Sequence, residues 1–286
     1  MPPDMNAACR MAKASDVAYY IDRPGGPAAC PFYNDVGFVA APQSFVANGI
    51  NAALVGTTAT EVVAAFRGTL PLDTENWNAF VESVLDWVND AEAELVPASY
   101  TTGKVHHGFD HALQLLWEDT VSAVEAQRAA SRLPVVITGH SKGGALASLA
   151  ALRLQFEAAI SATAVYTFGS ARAGDTTFAR DYNAKIPHDW RFENTDDLVP
   201  HLPPVTPLLA FLAQIDGRLA RLSSHGYYHV GQLEFLNWDG GITEGSTFAL
   251  DVERLQHLAG LVPAGNVLEL ARDHCLEKQY IPKVCR

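Results

Sequence analysis

The clearest chemical signal in the chain is Gly139-His140-Ser141-Lys142-Gly143, which fits the pattern G-x-S-x-G. A serine in this pattern lies on a sharp turn from a strand to a helix, with a strained backbone and an accessible hydroxyl. The flanking glycines remove side chains that would collide in so tight a turn. The start of the helix supplies main-chain N–H groups and a positive dipole end where an oxyanion would develop. The pattern therefore indicates that Ser141 is a nucleophile.

A serine hydroxyl needs a base to remove its proton, and that base is usually a histidine held by a carboxylate. Where the serine lies on a strand-to-helix turn, the carboxylate and the histidine follow it along the chain. Asp197 follows a strand-like stretch at 190–194 and is the candidate carboxylate, with Asp196 as its neighbouring alternative. Residue types alone do not choose the base among the histidines after Asp197, which are His201, His225, His229, His257 and His274.

The segments around Ser141 predict the elements that position it. Residues 134–138 are apolar and β-branched, as in a strand buried on both faces, and residues 143–150 are rich in Ala and Leu, as in a helix. Strand-like and helix-like stretches alternate through the middle of the chain. This alternation predicts an α/β fold with a mostly parallel central sheet and helices on both faces, and we expect residues 1–286 to form a single domain.

Two apolar stretches stand out from this alternation. Residues 71–95 place aromatic and aliphatic residues among acidic ones, as in an amphipathic helix, and residues 205–222 place apolar residues at helical spacing. Each stretch is either an ordinary packed helix or a mobile cover over an apolar site. We interpret both as candidate lid segments, and the candidate substrate-binding residues within them are Trp77, Phe80, Leu208, Phe211 and Leu212.

The composition argues against several classes of partner. The chain has 32 acidic and 20 basic residues, a net charge of −12 that disfavours nucleic acid and anionic membrane surfaces. The sequence contains no run of eighteen apolar residues, so it predicts no transmembrane segment. His106, His107 and His111 lie close together but lack the glutamate of an H-E-x-x-H site, so packing and capping roles are favoured. We expect neither a metal nor an organic cofactor, and the sequence does not indicate the oligomeric state.

The four cysteines lie near the two ends of the chain. An even number at the termini indicates disulfides such as Cys9–Cys30 and Cys275–Cys285, although three pairings are possible and free buried thiols are an equal alternative. The N-terminal residues lack the basic segment and apolar core of a signal peptide, so the sequence leaves the compartment open.

Several segments together resemble the class 3 (fungal-type) lipase family of α/β-hydrolases, over roughly residues 60–205. The segments that carry the resemblance are Phe66-Arg67-Gly68-Thr69 with Trp77, Val105-His106-His107-Gly108-Phe109, Gly139–Gly144, Tyr166-Thr167-Phe168-Gly169 and Asp197-Leu198-Val199-Pro200. The resemblance implies Ser141 as nucleophile and Asp197 as the acid of the triad. It also implies an oxyanion hole formed by the N–H groups of Thr69 and Lys142, where Lys142 replaces a more usual leucine.

The resemblance also favours one histidine as the base. The family has its base in a D-H-x-x-Y-like segment near the C-terminus, which Asp273-His274 resembles, with Tyr280 three positions further out than in that pattern. His229 lies in Tyr227-Tyr228-His229-Val230-Gly231, which resembles a family segment whose histidine is not the base. The resemblance therefore implies a Ser141-Asp197-His274 triad.

The activity that the resemblance implies is that of a triacylglycerol lipase or carboxylesterase. Such an enzyme cleaves acylglycerol or other lipid-like esters through an acyl-serine intermediate, in some cases at a lipid–water interface. A phospholipase or a feruloyl-type esterase would use the same triad, and an inactive hydrolase-like binding protein is the alternative from another class. The resemblance and the terminal cysteines favour secretion.

Overall fold

The structure of this chain, a computed structural model, describes residues 2–70, 74–88, 93–204, 212–214, 216–221, 226–261 and 266–286. For residues 87, 88, 220, 221 and 259 it describes the main chain alone. In these ranges, no helix is long and apolar enough to cross a membrane.

The strands fall into two sheets. Their bounds are β1 Gln43–Ala47, β2 Asn51–Thr57, β3 Val62–Phe66, β4 Leu95–Pro97, β5 Lys104–His106, β6 Val135–His140, β7 Ala162–Phe168, β8 Gly174–Asp175, β9 Asp189–Asn194, β10 Tyr227–Tyr228, β11 Gln232–Leu236 and β12 Ile242–Glu244. The large sheet has the order β1-β2-β3-β6-β7-β9-β11-β12, and the small sheet has the order β10-β8-β5-β4.

The helices connect these strands. Their bounds are α1 Met5–Val17, α2 Tyr33–Val36, α3 Trp77–Val88, α4 His107–Ser131, α5 Lys142–Ala158, α6 Thr176–Lys185, α7 Phe248–Leu261, α8 Val267–Arg272 and α9 Ile281–Val284. A short π-helical segment, Leu276–Tyr280, joins α8 to α9.

The five central strands of the large sheet, β3, β6, β7, β9 and β11, run parallel, and antiparallel strands lie at both edges. Strand β3 shows how both faces are covered. Val62, Ala64 and Phe66 belong to the core that includes α4 and α5, whereas Val63 and Ala65 belong to the core that includes α1. This division follows from the two-residue period of a strand. The predicted α/β fold with a mostly parallel sheet and helices on both faces is confirmed.

The expected cysteine pairing is wrong. The disulfide joins Cys9 to Cys285, which are 276 residues apart in sequence, and Cys30 and Cys275 are free thiols. The physical reason is that α1 and α9 pack against each other, which brings the two Cα atoms to 4.8 Å. The buried Cys30 instead donates its thiol proton to Asp16 Oδ2 at 3.2 Å.

The two candidate lid segments are described to different extents. Helix α3 lies within the first, whereas residues 71–73 and 89–92 are outside the described residues. Of the second segment, residues 212–214 and 216–221 are described, and Leu208 and Phe211 lie outside the described residues.

Candidate active site

Ser141 lies at the junction of β6 and α5, where the sequence predicts a sharp turn. Its φ of 61° and ψ of −132° are a strained combination for a residue with a side chain. The Ser141 N–H donates to the carbonyl of Phe168 at 3.0 Å, which ties the turn to the end of β7. The sheet and the helix therefore hold the serine in the conformation expected of a nucleophile elbow.

The glycines of the motif allow α5 to lie directly on the sheet. A Cβ added at Gly139 would lie 2.1 Å from the carbonyl oxygen of Gly143, and a Cβ added at Gly143 would lie 2.1 Å from that of Phe66. Real atoms do not approach so closely, so a side chain at Gly139 would push the start of α5 away from β6, and one at Gly143 would push it away from β3. The glycines thus fix the position of Ser141 relative to the end of β3.

Asp197 and His274 form a buried pair next to this turn. Asp197 follows β9, His274 follows α8, and His274 Nδ1 lies 2.8 Å from Asp197 Oδ2 and 3.0 Å from Oδ1. Their side chains are 1% and 0% exposed, respectively. Because a carboxylate accepts, Nδ1 carries the proton, which leaves a lone pair on Nε2. His274 Nε2 is buried and has no hydrogen-bond partner among the described residues.

His140 links His274 to the turn. The rings of these two histidines stack with centroids 4.4 Å apart, and His140 Nε2 donates to the main-chain carbonyl of His274 at 2.8 Å. His140 Nδ1 therefore accepts from the hydroxyl of Tyr19, also at 2.8 Å. Burial, together with the nearby His274, holds the pKa of His140 well below its usual value, so the ring is neutral.

Ser141 Oγ and His274 Nε2 are not hydrogen-bonded to each other within the described part of the chain. In serine enzymes this contact is often long without substrate and tightens in the reacting complex. The structure thus brings Asp197 and His274 together at the elbow and leaves the serine–histidine contact open.

The other described acid and base candidates have different partners. His229 Nε2 donates to the carbonyl of Pro200 at 2.6 Å, and the His257 ring stacks on Trp238 with centroids 3.8 Å apart. Asp196 Oδ2 accepts from Trp238 Nε1 at 2.9 Å. His201 Nε2 lies 3.3 Å from Arg254 Nη2. His225 lies outside the described residues.

The two residues expected to form an oxyanion hole flank Ser141. A Cβ added at Gly68 would lie 3.0 Å from Ser141 Cβ, so the chain that continues from β3 into Thr69 passes beside the serine. Lys142 is the first residue of α5, and its N–H therefore has no acceptor within the helix. Thr69 Oγ1 is buried and has no hydrogen-bond partner among the described residues.

The side chain of Lys142 turns away from this site. Its Nζ donates to Asn51 Oδ1 at 2.9 Å, at the start of β2. Burial, aided by the nearby charge of Arg67, lowers the pKa of Lys142 to about 8. The lysine thus differs from the more usual leucine by adding a buried polar contact to β2.

The described substrate-binding candidates lie close to His274 or to one another. Phe80 is fully buried, and its ring meets the His274 ring edge-on with centroids 6.0 Å apart. Trp77 packs on Phe80 and donates from Nε1 to Asp216 Oδ2 at 3.3 Å. Leu212 is buried in the same core cluster as Phe80. Ser141 itself is only 1% exposed, and Phe80 places α3 against His274.

Tyr280 lies at the site, although the sequence alone assigns it no role. The hydroxyl of Tyr280 donates to Asp197 Oδ2 at 2.6 Å and accepts from the main-chain N–H of Asn194 at 3.1 Å. The sequence signal for it was its place after Asp273-His274, three positions beyond the family pattern. The intervening π-helical turn shows how Tyr280 nevertheless reaches Asp197.

Comparisons with known proteins identify lipases as relatives of this chain. A lipase of Caenorhabditis elegans is 28% identical over 207 residues, which cover 68% of this chain and 53% of the relative. The lipase of Rhizomucor miehei is 38% identical over 130 residues, which cover 43% and 35%. The chain thus spans about half or less of the length of these relatives.

A solved structure shows the same fold. A fungal lipase superposes with a TM-score of 0.68 over 98% of this chain and 97% of its own, at 21% identity. The family model described as lipase (class 3) matches residues 63–206, which is half of the chain and includes Ser141 and Asp197. The chain therefore belongs to the class 3 lipase family.

Proposed function

We propose that the protein is a carboxylic-ester hydrolase that cleaves acylglycerols or other lipid-like esters through an acyl-serine intermediate. The observation that carries this proposal is the buried His274–Asp197 pair, 2.8 Å apart, beside a serine on a strained strand-to-helix turn. Family membership supports the reaction class.

Acylation begins when Ser141 Oγ attacks the carbonyl carbon of the ester. His274 Nε2 takes the proton from Oγ, and Asp197 stabilises the imidazolium through the Nδ1–H bond. The same proton then passes to the leaving alkoxide as the carbon–oxygen bond breaks. The alcohol departs and the acyl group remains on the serine.

Deacylation repeats these steps with water. His274 Nε2 removes a proton from water, the hydroxide attacks the acyl carbon, and the proton returns to Ser141 Oγ as the acid leaves. The main-chain N–H groups of Thr69 and Lys142 would hold the oxyanion in both steps. Losing one such donor typically costs about 3–4 kcal/mol of transition-state stabilisation.

The apolar acyl chain would lie against the residues that cover the serine. Phe80, Trp77 and Leu212 are the described candidates, and burial of an acyl chain among them would exclude water from the acyl-enzyme. Because Ser141 is almost completely buried, α3 would have to move before substrate enters. We infer that α3 acts as a lid.

The nucleophile is tested by comparing Ser141→Ala with Ser148→Ala, a buried serine two turns further along α5. Hydrolysis of a p-nitrophenyl acyl ester series is expected to fall at least about 1,000-fold in S141A at every chain length. S148A is expected to retain it. A fluorophosphonate probe should label the wild type and S148A, and undiminished turnover in S141A would overturn the proposal.

The base is tested by comparing His274→Asn with His111→Asn, an exposed histidine on α4. We expect H274N to lose about 1,000-fold or more in kcat and H111N to match the wild type. Retained activity in H274N, with activity lost in His229→Asn, would reassign the base to His229.

A secreted or otherwise oxidising location is also part of this proposal. The disulfide between Cys9 and Cys285 supports it, because structural disulfides persist mainly in oxidising compartments. Detection of the oxidised protein outside the producing cells would test it.

A further inference from the structure

A cavity of about 670 Å³ lies beside β9, β11 and α7. The described residues that line it include Arg172, Arg191 and Arg254. They do not include Ser141, Asp197 or His274. Its volume is in the range typical of small-molecule sites. It is therefore a second concave site, separate from the proposed catalytic one.

Two of the three arginines share one buried carboxylate, Glu193, which is 1% exposed. Arg254 Nη2 donates to Glu193 Oε2 at 2.5 Å, and Arg191 forms an ion pair with Glu193 Oε1. Arg172 Nη1 instead donates to the main-chain carbonyls of His201 and Pro203, at 3.3 and 3.0 Å. Three guanidinium groups thus line one cavity, and two of them share the Glu193 carboxylate.

Other carboxyl groups lie near these arginines: Asp251, Asp197 and Asp196 act on Arg254, and Asp189 acts on Arg191. Asp251 lies at the exposed side of the cavity, where it accepts from Ser246. Burial raises the pKa of Asp189, close to Arg191, to about 7, so its carboxyl is only partly ionised at neutral pH. Burial and the arginine charges hold the pKa of His201 and of His229 well below the usual value, so both rings are neutral.

Burial of these arginines disfavours their charged forms. Burial, with the nearby charge of Arg254, lowers the pKa of Arg191 to about 9 and that of Arg172 to about 10. Arg254 Nε is buried and has no hydrogen-bond partner within the described residues. Buried cations and unsatisfied donors are unfavourable unless a counter-charge reaches them. An anion in the cavity would supply both the charge and the acceptor.

We propose that this cavity, the anion pocket lined by Arg172, Arg191, Arg254, Glu193 and Leu255, binds a small molecule through a carboxylate or phosphate group. Guanidinium groups match the paired oxygens of both anions. Leu233 and Leu255 add apolar walls, which would accept an aliphatic part of the same ligand. The site does not use the proposed catalytic residues, so it stands apart from the proposed ester hydrolysis.

The test is isothermal titration calorimetry of the purified 286-residue chain with two probes, inorganic phosphate and octanoate. We expect at least one of them to bind the wild type with a Kd below about 1 mM. Arg254→Gln is expected to weaken that binding about tenfold or more, because it removes a buried charged donor. Arg128→Gln, an exposed arginine on α4, is the matched control and should bind like the wild type.

A second pair of variants keeps the test independent of folding defects. Leu255 is 50% exposed on α7, so Leu255→Glu places a competing carboxylate at the pocket wall on a surface position. Leu255→Gln has nearly the same shape without the charge. We expect L255E to lose anion binding about tenfold relative to L255Q.

Binding of phosphate alone or of octanoate alone supports the pocket and identifies the anion. Binding of neither probe overturns the proposal. Equal binding of the probe to L255E and L255Q also overturns the proposal. Octanoate bound at the proposed acyl site would give that result. Because calorimetry needs no ester turnover, failure of the proposed hydrolase function would leave this test unchanged.

Discussion

The hydroxyl of Tyr280 donates to Asp197 Oδ2 across 2.6 Å, and the same carboxylate oxygen lies 2.8 Å from His274 Nδ1. The main-chain N–H of Val199 adds a third donor, to Oδ1 at 2.9 Å. Burial and the charge of Asp197 raise the pKa of Tyr280 well above its usual value, so the phenol stays protonated. Asp197 is thus oriented by three hydrogen-bond donors in a buried site.

Removing the hydroxyl of Tyr280 should weaken both the site and the fold. Tyr280→Phe takes a donor from Asp197 and leaves the buried N–H of Asn194 without its acceptor. We expect about 1–3 kcal/mol less free energy of unfolding in urea and roughly tenfold lower kcat. Tyr166→Phe, also buried, is the control. Equal kcat in the two variants would show that Tyr280 does not position the carboxylate.

Gly169 should be essential for the geometry of the Asp197–His274 pair. Its φ is +53°, and an added Cβ would lie 2.8 Å from Asp197 Oδ2 and 3.0 Å from the His274 ring. Gly49 also has a positive φ, of +70°, but has open space around it. We expect Gly169→Ala and Gly49→Ala both to lose about 1 kcal/mol of stability from backbone strain.

Their activities should differ. G169A should lose at least about tenfold in kcat, because the methyl group displaces the carboxylate or the imidazole, whereas G49A should match the wild type. The comparison is made with the same acyl ester after both variants are shown to be folded by circular dichroism. A G169A variant as active as G49A would contradict the position of His274 described above.

The disulfide between the two ends of the chain should contribute to stability. Cys9 and Cys285 enclose a loop of nearly the whole chain, and cross-links of long loops typically contribute about 2–5 kcal/mol. Cys9→Ser should therefore lower Tm by about 4 °C or more in differential scanning calorimetry. Cys275→Ser, which removes a free thiol, should not. A reductant should lower the Tm of the wild type and leave that of C9S unchanged.

Asp189 should make stability fall as the pH rises. Burial raises its pKa from 3.8 to about 7, so between these values the folded chain holds a proton that the unfolded chain has released. The free energy of unfolding therefore decreases with pH across this window and levels off above pH 7. Asp189→Asn cannot release this proton, so its stability should fall less between pH 4 and pH 7.

The measurement is urea unfolding of the wild type and D189N at several pH values. Asp119→Asn, an exposed position on α4, should follow the wild-type pH dependence. A D189N variant that also follows the wild type would show that the carboxyl of Asp189 is ionised in the folded protein at neutral pH.

Two features of this protein follow from the sequence because they depend on neighbouring residues. Gly139 and Gly143 lie two residues before and two residues after Ser141. Glycines at this spacing are typical of the strand-to-helix turn that holds a nucleophilic serine. The parallel sheet is equally local in origin, since apolar β-branched runs alternate with helix-forming ones along the chain. The family resemblance rests on these same short segments.

The tertiary structure decided which distant residues meet. Five histidines follow Asp197. Of those that the structure describes, His274 reaches it across 77 residues because the segment after α8 returns to the end of β9. Cys9 forms its disulfide with Cys285 rather than with Cys30, which is nearer in sequence, because α1 and α9 pack together. Packing of elements also brings Arg172, Arg191 and Arg254 to one cavity. Sequence spacing does not encode such contacts, because the packing of whole elements sets the distances between residues that are far apart in the chain.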